Sequence, residues 1–482
     1  MSLPFKGAGR AMYYIVLLAL MLLFAIYTAT NFRYTYITME GDNFWVLTQD
    51  FWQQKLAMLP AVTNWLADYL MQFYGSPYVA ATIQTLVLGT IGVLAANLRP
   101  LRRGAWFWLG LLPPVFLGFF CTFSLSFQLQ CLFFFALLQV FILIPNQKAK
   151  LVWSLLCVTL GFMLMRTPML ALLIVVQAAL YAPLRWGWRA GVAFAGVALL
   201  ALMPLIYSQQ IAFIPFGQRY TVFGTYFDPL TSRNNQIGEN IRKMVCLSNE
   251  ERWEDLLYRE HIKRDAKRGN AIALRYALLA ESALGTLPEN LLDYPIHDEN
   301  LFYFPHEQNP VAQQLNRLFY LNLGVYDEAF HHAQEYSLLQ TNGTCFSSLR
   351  QMVEYSIAEG EWDIAEKFLQ VLSKSSCHRK FIEKKREEIA NCKLSNRQIR
   401  EVPLRADNFV GGYPLPVEMI RLARYYKERD SVDVSYIKKM VDYAICSYII
   451  RGDFDRFRIA LHAFGFYDDK ELPRAYQMKR PL

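Results

Sequence analysis

The chain has 482 residues, enough for two or more domains, and 54% of them are apolar with 15% aromatic, a composition that marks part of it as a membrane protein. Its net charge of +8 arises in one place: up to Ile206 there are twelve Lys and Arg against four Asp and Glu, and beyond it thirty-seven of each. Cations gathered at the ends of apolar segments point to membrane lipids as partner and argue against nucleic acid.

In chain order, apolar runs cover residues 11–30, 76–98, 105–145, 151–183 and 192–206. Lys6 and Arg10 precede the first, which lacks a small-residue cleavage site. At about 20 residues it matches ~30 Å of hydrocarbon and reads as an uncleaved span. The third run is too long for one crossing and must fold back, most naturally in the polar stretch from Cys121 to Ser126, with Pro113 and Pro114 kinking its first arm. Arg166, Thr167 and Pro168 break the fourth run into two arms. Counting both as hairpins gives about seven spans.

Lys6, Arg10, Arg99, Arg102, Arg103, Lys148, Lys150, Arg185 and Arg189 fall on one side, and Arg33, Lys55 and Arg166 on the other. The excess of cations puts the N-terminus in the cytoplasm. Seven spans then place the loop 31–75 and everything after Ile206 outside it, as in a protein of a bacterial inner membrane.

All four carboxylates of this half, Glu40, Asp42, Asp50 and Asp68, lie in that loop. Phe44, Leu47, Phe51, Trp52 and Leu56 follow helical spacing, as do Trp65, Leu66, Tyr69, Leu70 and Phe73, with Pro60 between the two sets. Amphipathic helices rich in Trp and Tyr suit the headgroup boundary; ordinary surface helices packed on the spans are the other reading.

Residues 207–247 form an aromatic, turn-rich linker, and 248–482 read as a helical domain without strand alternation. Ser248 with Glu251 has the form of a capping box, and Asn309-Pro310 that of a helix start. Gly324, Tyr326 and Ala329 recur as Gly360, Trp362 and Ala365, and Gly452 with Phe454 repeats the turn but with Phe457 in the place of Ala. This pattern resembles the tetratricopeptide repeat, which implies paired antiparallel helices and a protein-binding surface.

The eight cysteines show neither metal-ligand spacing nor the density of a disulfide framework and read as isolated thiols. His297, Asp298 and Glu299 with His306 and Glu307 match no ligand pattern and read as a polar loop; His331 and His332 read as surface and groove positions on a repeat helix. No phosphate loop, dinucleotide fingerprint, nucleophile elbow or zinc motif is present, and no metal site is assigned.

The order of features in residues 11–206 resembles the glycosyltransferase C superfamily: a first span, the acidic motif Glu40-Gly41-Asp42 shortly after it, two helices along the membrane, and Tyr74-Gly75-Ser76 leading into the second span. The resemblance implies transfer of a sugar from a polyprenyl-phosphate carrier at the outer membrane face. It makes Asp42 the base that takes the acceptor's proton, with Glu40 orienting the acceptor, sharing the proton or helping to hold a divalent cation. Arg166, and more weakly Arg33, would meet the departing phosphate. The plainer readings are a solvated acidic turn capping a helix from Asn43, and arginines that anchor in headgroups. The membrane part ends at Ile206, where many members carry further spans, and the motif is Glu-Gly-Asp instead of an adjacent acidic pair. A non-catalytic, membrane-anchored scaffold whose repeats bind an envelope protein is therefore the alternative function. A transporter is disfavoured, because no span carries an ionisable residue near its midpoint.

Overall fold

The computed structural model describes residues 5–56, 59–98, 106–181, 230, 232–259, 262–296, 301–304, 309–340, 343–375, 377–394, 414–429, 433–467 and 471–477. They form an all-α protein with no strand among the described residues. The chain divides into two compact units, Met1–Glu239 and Asn240–Leu482.

In the first unit, α1 (Phe5–Asn31) is a long apolar run without proline. Tyr13, Leu17, Met21 and Thr28 are buried, while Ile15, Leu18, Leu22, Leu23 and Ile26 on the other side are each more than half exposed. An apolar stripe of that size has no place in water and suits a lipid neighbour. A single non-helical residue, Phe32, separates α1 from α2 (Arg33–Gly41). Two short helices follow, α3 (Gln49–Leu56) and α4 (Ala61–Met71), and then α5 (Pro77–Ala96), which packs along α1. The Tyr13 hydroxyl donates to the Gly92 carbonyl across that contact at 2.9 Å.

The two expected reversals are present. A 3-10 stretch, Trp106–Leu111, leads into α6 (Leu112–Phe120); residues 121–124 turn the chain, and α7 (Leu125–Leu143) returns. Pro113 and Pro114 fall where the 3-10 stretch passes into the α-helix. They stand in the first turn of α6, where a missing N–H costs nothing. Gly110 lies so close to the end of α5 that a β-carbon there would sit 2.7 Å from the Ala96 nitrogen. The second reversal falls between α8 (Gln147–Leu160) and α9 (Thr167–Tyr181), where a short 3-10 turn, Gly161–Met163, precedes Arg166 and Pro168 prevents the helix from continuing.

The number of crossings differs from the expected seven. Among the described residues three helices are long and apolar enough to cross a membrane, Gly9–Asn31, Pro77–Ala96 and Leu125–Leu143; Trp106–Phe120 and Thr167–Leu180 are apolar but shorter. The run at 192–206 lies outside the described residues.

The second unit is built of helical hairpins. Its elements are α10 (Arg233–Asn249, which begins in the first unit), α11 (Ile262–Lys267), α12 (Ala271–Ala283), α13 (Leu287–Asn290), α14 (Pro310–Asn322), α15 (Tyr326–Leu338), α16 (Phe346–Glu359), α17 (Trp362–Leu372), α18 (Arg379–Leu394), α19 (Leu415–Arg429), α20 (Val434–Arg451) and α21 (Phe454–Ala463). Gly324, Gly360 and Gly452, the glycines of the repeated motif, all adopt φ between 68° and 77° and end α14, α16 and α20. In each case the glycine N–H bonds the carbonyl three residues back and the next N–H the carbonyl five back, the Schellman pattern that only a left-handed residue completes. Gly269 and Gly285 make the same turn after α11 and α12. Ala329 and Ala365 are fully buried where paired helices touch, and Phe457 fills the corresponding place after Gly452.

Two expectations fail here. Ser248 and Glu251 do not start a helix: α10 ends at Asn249, and Glu251, at φ 55°, occupies the left-handed position of a sixth such turn. The linker assigned to 207–247 is also too long, since α10 takes up its last part; residues 207–229 lie outside the described set. Asn309-Pro310 does start a helix, with Asn309 Oδ1 accepting from the Ala312 N–H at 2.9 Å.

Candidate functional site

Nothing in the local sequence caps α2. Its first N–H groups are satisfied from far along the chain by Glu239, whose Oε1 accepts from Tyr34 N–H at 2.8 Å and whose Oε2 accepts from Thr35 N–H at 2.8 Å and Thr35 Oγ1 at 2.5 Å. A carboxylate at a helix N-terminus also complements the helix dipole. So anchored, α2 runs to Gly41 and Asp42 forms its C-cap.

The acidic motif thus closes a helix instead of opening one, and residues 43–48 are non-helical, so no helix starts at Asn43. Carboxylates at the negative end of a helix are electrostatically disfavoured. Capping therefore does not account for Glu40 and Asp42.

Tyr36, one turn before Glu40, meets the Tyr74 ring edge-on at 5.5 Å and donates from its hydroxyl to Gln84 Oε1 at 2.8 Å. Burial holds the phenols of both Tyr36 and Tyr74 well above their ordinary range, so both are neutral. The Glu40 carboxyl lies over Gly75, 4.0 Å from where a β-carbon would be. The two short motifs singled out in the sequence, Glu40-Gly41-Asp42 and Tyr74-Gly75-Ser76, are therefore neighbours.

Beside them Asn43 Nδ2 donates to the Asp68 carbonyl at 2.6 Å, and Trp45 packs on Trp65 and Tyr69 with ring centroids 5.2 and 5.0 Å away. The Asp68 carboxylate pairs with Lys55, and both side chains are buried. Asp50 is exposed in the first turn of α3. Glu40 and Asp42 are half-buried.

Arg166 is half-buried in the break between α8 and α9. Its backbone N–H donates to Gln130 Oε1 at 3.1 Å, and the Leu164 carbonyl accepts from Thr63 Oγ1 at 2.5 Å. Ser126, one turn before Gln130 on α7, donates to Asn64 Oδ1 at 2.6 Å. One end of α4 thus holds the Arg166 turn and the other, about 7.5 Å of helix rise beyond Thr63, holds the acidic turn through Asp68. Arg33 stands apart: exposed, its guanidinium 5.9 Å from the Tyr34 ring, it begins α2 while the acids end it. About 10 Å of helix rise separates Arg33 from Glu40.

The tip of the α6–α7 hairpin joins the same end of the bundle. The Thr122 carbonyl accepts from Gln84 Nε2 and Gln128 Nε2, each at 3.0 Å, and Phe123 packs on Phe32 and Tyr36. Lone glutamines in apolar helices are the signal that could have revealed this network, since a buried amide must find partners. Glu239 and the role of Lys55 had no such signal. Among the described residues no group of three or more His, Cys, Asp or Glu could hold a metal ion, and all eight cysteines are free. The segments 297–300 and 305–308, with their histidines and acids, lie outside the described residues.

Helices of membrane-spanning length in the first unit and a following unit of helical hairpins define an all-α protein class. Residues 10–478 match the family of unknown function DUF6057, and the chain belongs to that family. No curated protein and no solved structure matches it.

Proposed function

We propose that the protein is an integral membrane enzyme of the lipid-linked sugar transferase type, working at the non-cytoplasmic face with its N-terminus in the cytoplasm. The observation that carries the reading is the meeting of the Glu40 carboxyl, two residues from Asp42, with the Tyr74-Gly75-Ser76 turn. Asp42 takes the proton of an acceptor hydroxyl as that oxygen bonds the sugar's anomeric carbon. The bond from that carbon to the carrier phosphate breaks, and its electron pair leaves with the phosphate, which Arg166 stabilises. Glu40 orients the acceptor, and Glu40 and Asp42 are the residues that would offer carboxylate oxygens to a divalent cation were one bound. Arg33, at the far end of α2, serves as a headgroup anchor.

The test is Asp42→Asn in cells and in a transfer assay with a polyprenyl-phosphate sugar. Loss of a general base lowers turnover roughly 10²- to 10⁴-fold while the protein remains folded and in the membrane. Unchanged glycan and lipid-carrier profiles in cells bearing Asp42→Asn refute the proposal.

The repeated Schellman turns favour a second reading, a membrane-anchored helical-repeat scaffold for an envelope protein. On that reading Asp42→Asn is silent, and substitutions on exposed faces of residues 310–372 abolish function.

A further inference from the structure

Arg317 lies on α14 with only 1% of its surface exposed, yet among the described residues no carboxylate pairs with it. Its three hydrogen bonds all go to neutral acceptors: Nε to Gln314 Oε1 at 3.2 Å, Nη1 to the Tyr355 hydroxyl at 2.6 Å and Nη2 to Asn249 Oδ1 at 2.5 Å. Each terminal nitrogen therefore keeps one N–H in hand. A guanidinium does not shed its proton, and a buried charge without a counter-ion costs several kcal/mol, so such groups are nearly always paired.

The Tyr276 hydroxyl on α12 is fully buried without a hydrogen-bond partner. The charge on Arg317 acts on Tyr276, whose phenol burial otherwise pushes up. The group that covers Nη2 is movable: Asn249 is the exposed last residue of α10, so rotation of one side chain uncovers the cation.

We propose that Arg317 is the floor of a binding site for a small oxyanion, a phosphate group or a carboxylate, entered by displacement of the Asn249 side chain. The anion's two oxygens take the remaining Nη protons, and the Tyr276 hydroxyl donates a further bond. The depth of the cation limits the ligand to a compact anionic group and excludes a nucleotide base or a folded partner. This site is independent of Glu40 and Asp42 and of the transfer reaction.

The test measures thermal unfolding of the full chain in detergent against inorganic phosphate and, separately, acetate, at ionic strength held constant with potassium chloride. A saturable rise with phosphate alone identifies a phosphate group, with acetate alone a carboxylate, and either supports the site. Arg317→Met abolishes the response. Should that variant not fold, Arg317→Lys, which keeps the charge and loses the fork, weakens binding roughly tenfold or more. Tyr276→Phe weakens it roughly fivefold, the worth of one hydrogen bond, and Asn249→Ala tightens it by removing the competing acceptor. No saturable response to either anion, or affinities unchanged by Tyr276→Phe and Asn249→Ala, overturns the proposal.

Discussion

Replacing Glu239 by Gln tests whether α2 is held from a distance. The native carboxylate accepts three hydrogen bonds, two on one oxygen and one on the other. A glutamine retains a single oxygen, so its amide nitrogen must face a buried N–H or hydroxyl donor of α2. The orphaned donor costs about 1–3 kcal/mol, and loss of the negative charge at the helix start about 0.3–1 kcal/mol more. The middles of these ranges sum to about 2–3 kcal/mol, concentrated on α2. Because membrane proteins often unfold irreversibly, the suitable assay is amide hydrogen exchange. Exchange at Tyr34, Thr35 and Tyr36 should accelerate roughly 30- to 140-fold, since ~1.4 kcal/mol is a factor of ten, while α12 stays unchanged. Equal exchange in α2 before and after the substitution would refute the capping argument. A uniform acceleration across the whole chain would assign Glu239 to global stability instead.

Three further outcomes follow from local geometry. Glu251→Gly relieves a left-handed backbone at φ 55° and should stabilise the second unit by about 1 kcal/mol, read as a raised unfolding midpoint. Burial pushes His332 and His378 down to about 4. The folded state thus binds fewer protons than the unfolded one between about pH 6.5 and 4, so stability should drop as pH falls through that window, and His332→Gln should flatten the slope. Gly110→Ala forces a β-carbon to within 2.7–2.8 Å of Ala96 and should cost about 1–3 kcal/mol, seen as a lower melting temperature in detergent.

What was legible in the sequence depended on local contrast. The polar stretch at 121–124 and the Arg166 break interrupt apolar runs, and the glycines of the repeated motif stand where only a left-handed residue closes a helix, so these turns fall where the residues point. Gly269 and Gly285 make the same turn without the aromatic two places on that marks the others. The α2 helix was invisible because Phe32 offers no capping side chain and the cap arrives from Glu239. Without α2, the acidic motif was read at the wrong end of a helix. Ser248 and Glu251 misled for a related reason: their spacing suits an N-terminus, but tertiary packing ends α10 there and imposes a left-handed turn on a glutamate. The Lys55–Asp68 pair lay in plain view as two ions of one loop, yet only folding brings them together.

The single-residue interruption at Phe32 has a mechanical consequence. With no slack between them, α1 hands any change of tilt to α2 as a lever does, and the outward face of α1 is exposed. A host bilayer that thickens or thins alters the tilt of such a helix at a cost of fractions of a kcal/mol per Å. On the proposed membrane placement, hydrocarbon thickness is an input to the position of Glu40 and Asp42, and reconstitution in lipids of graded acyl length is a dial on whatever those two carboxylates do.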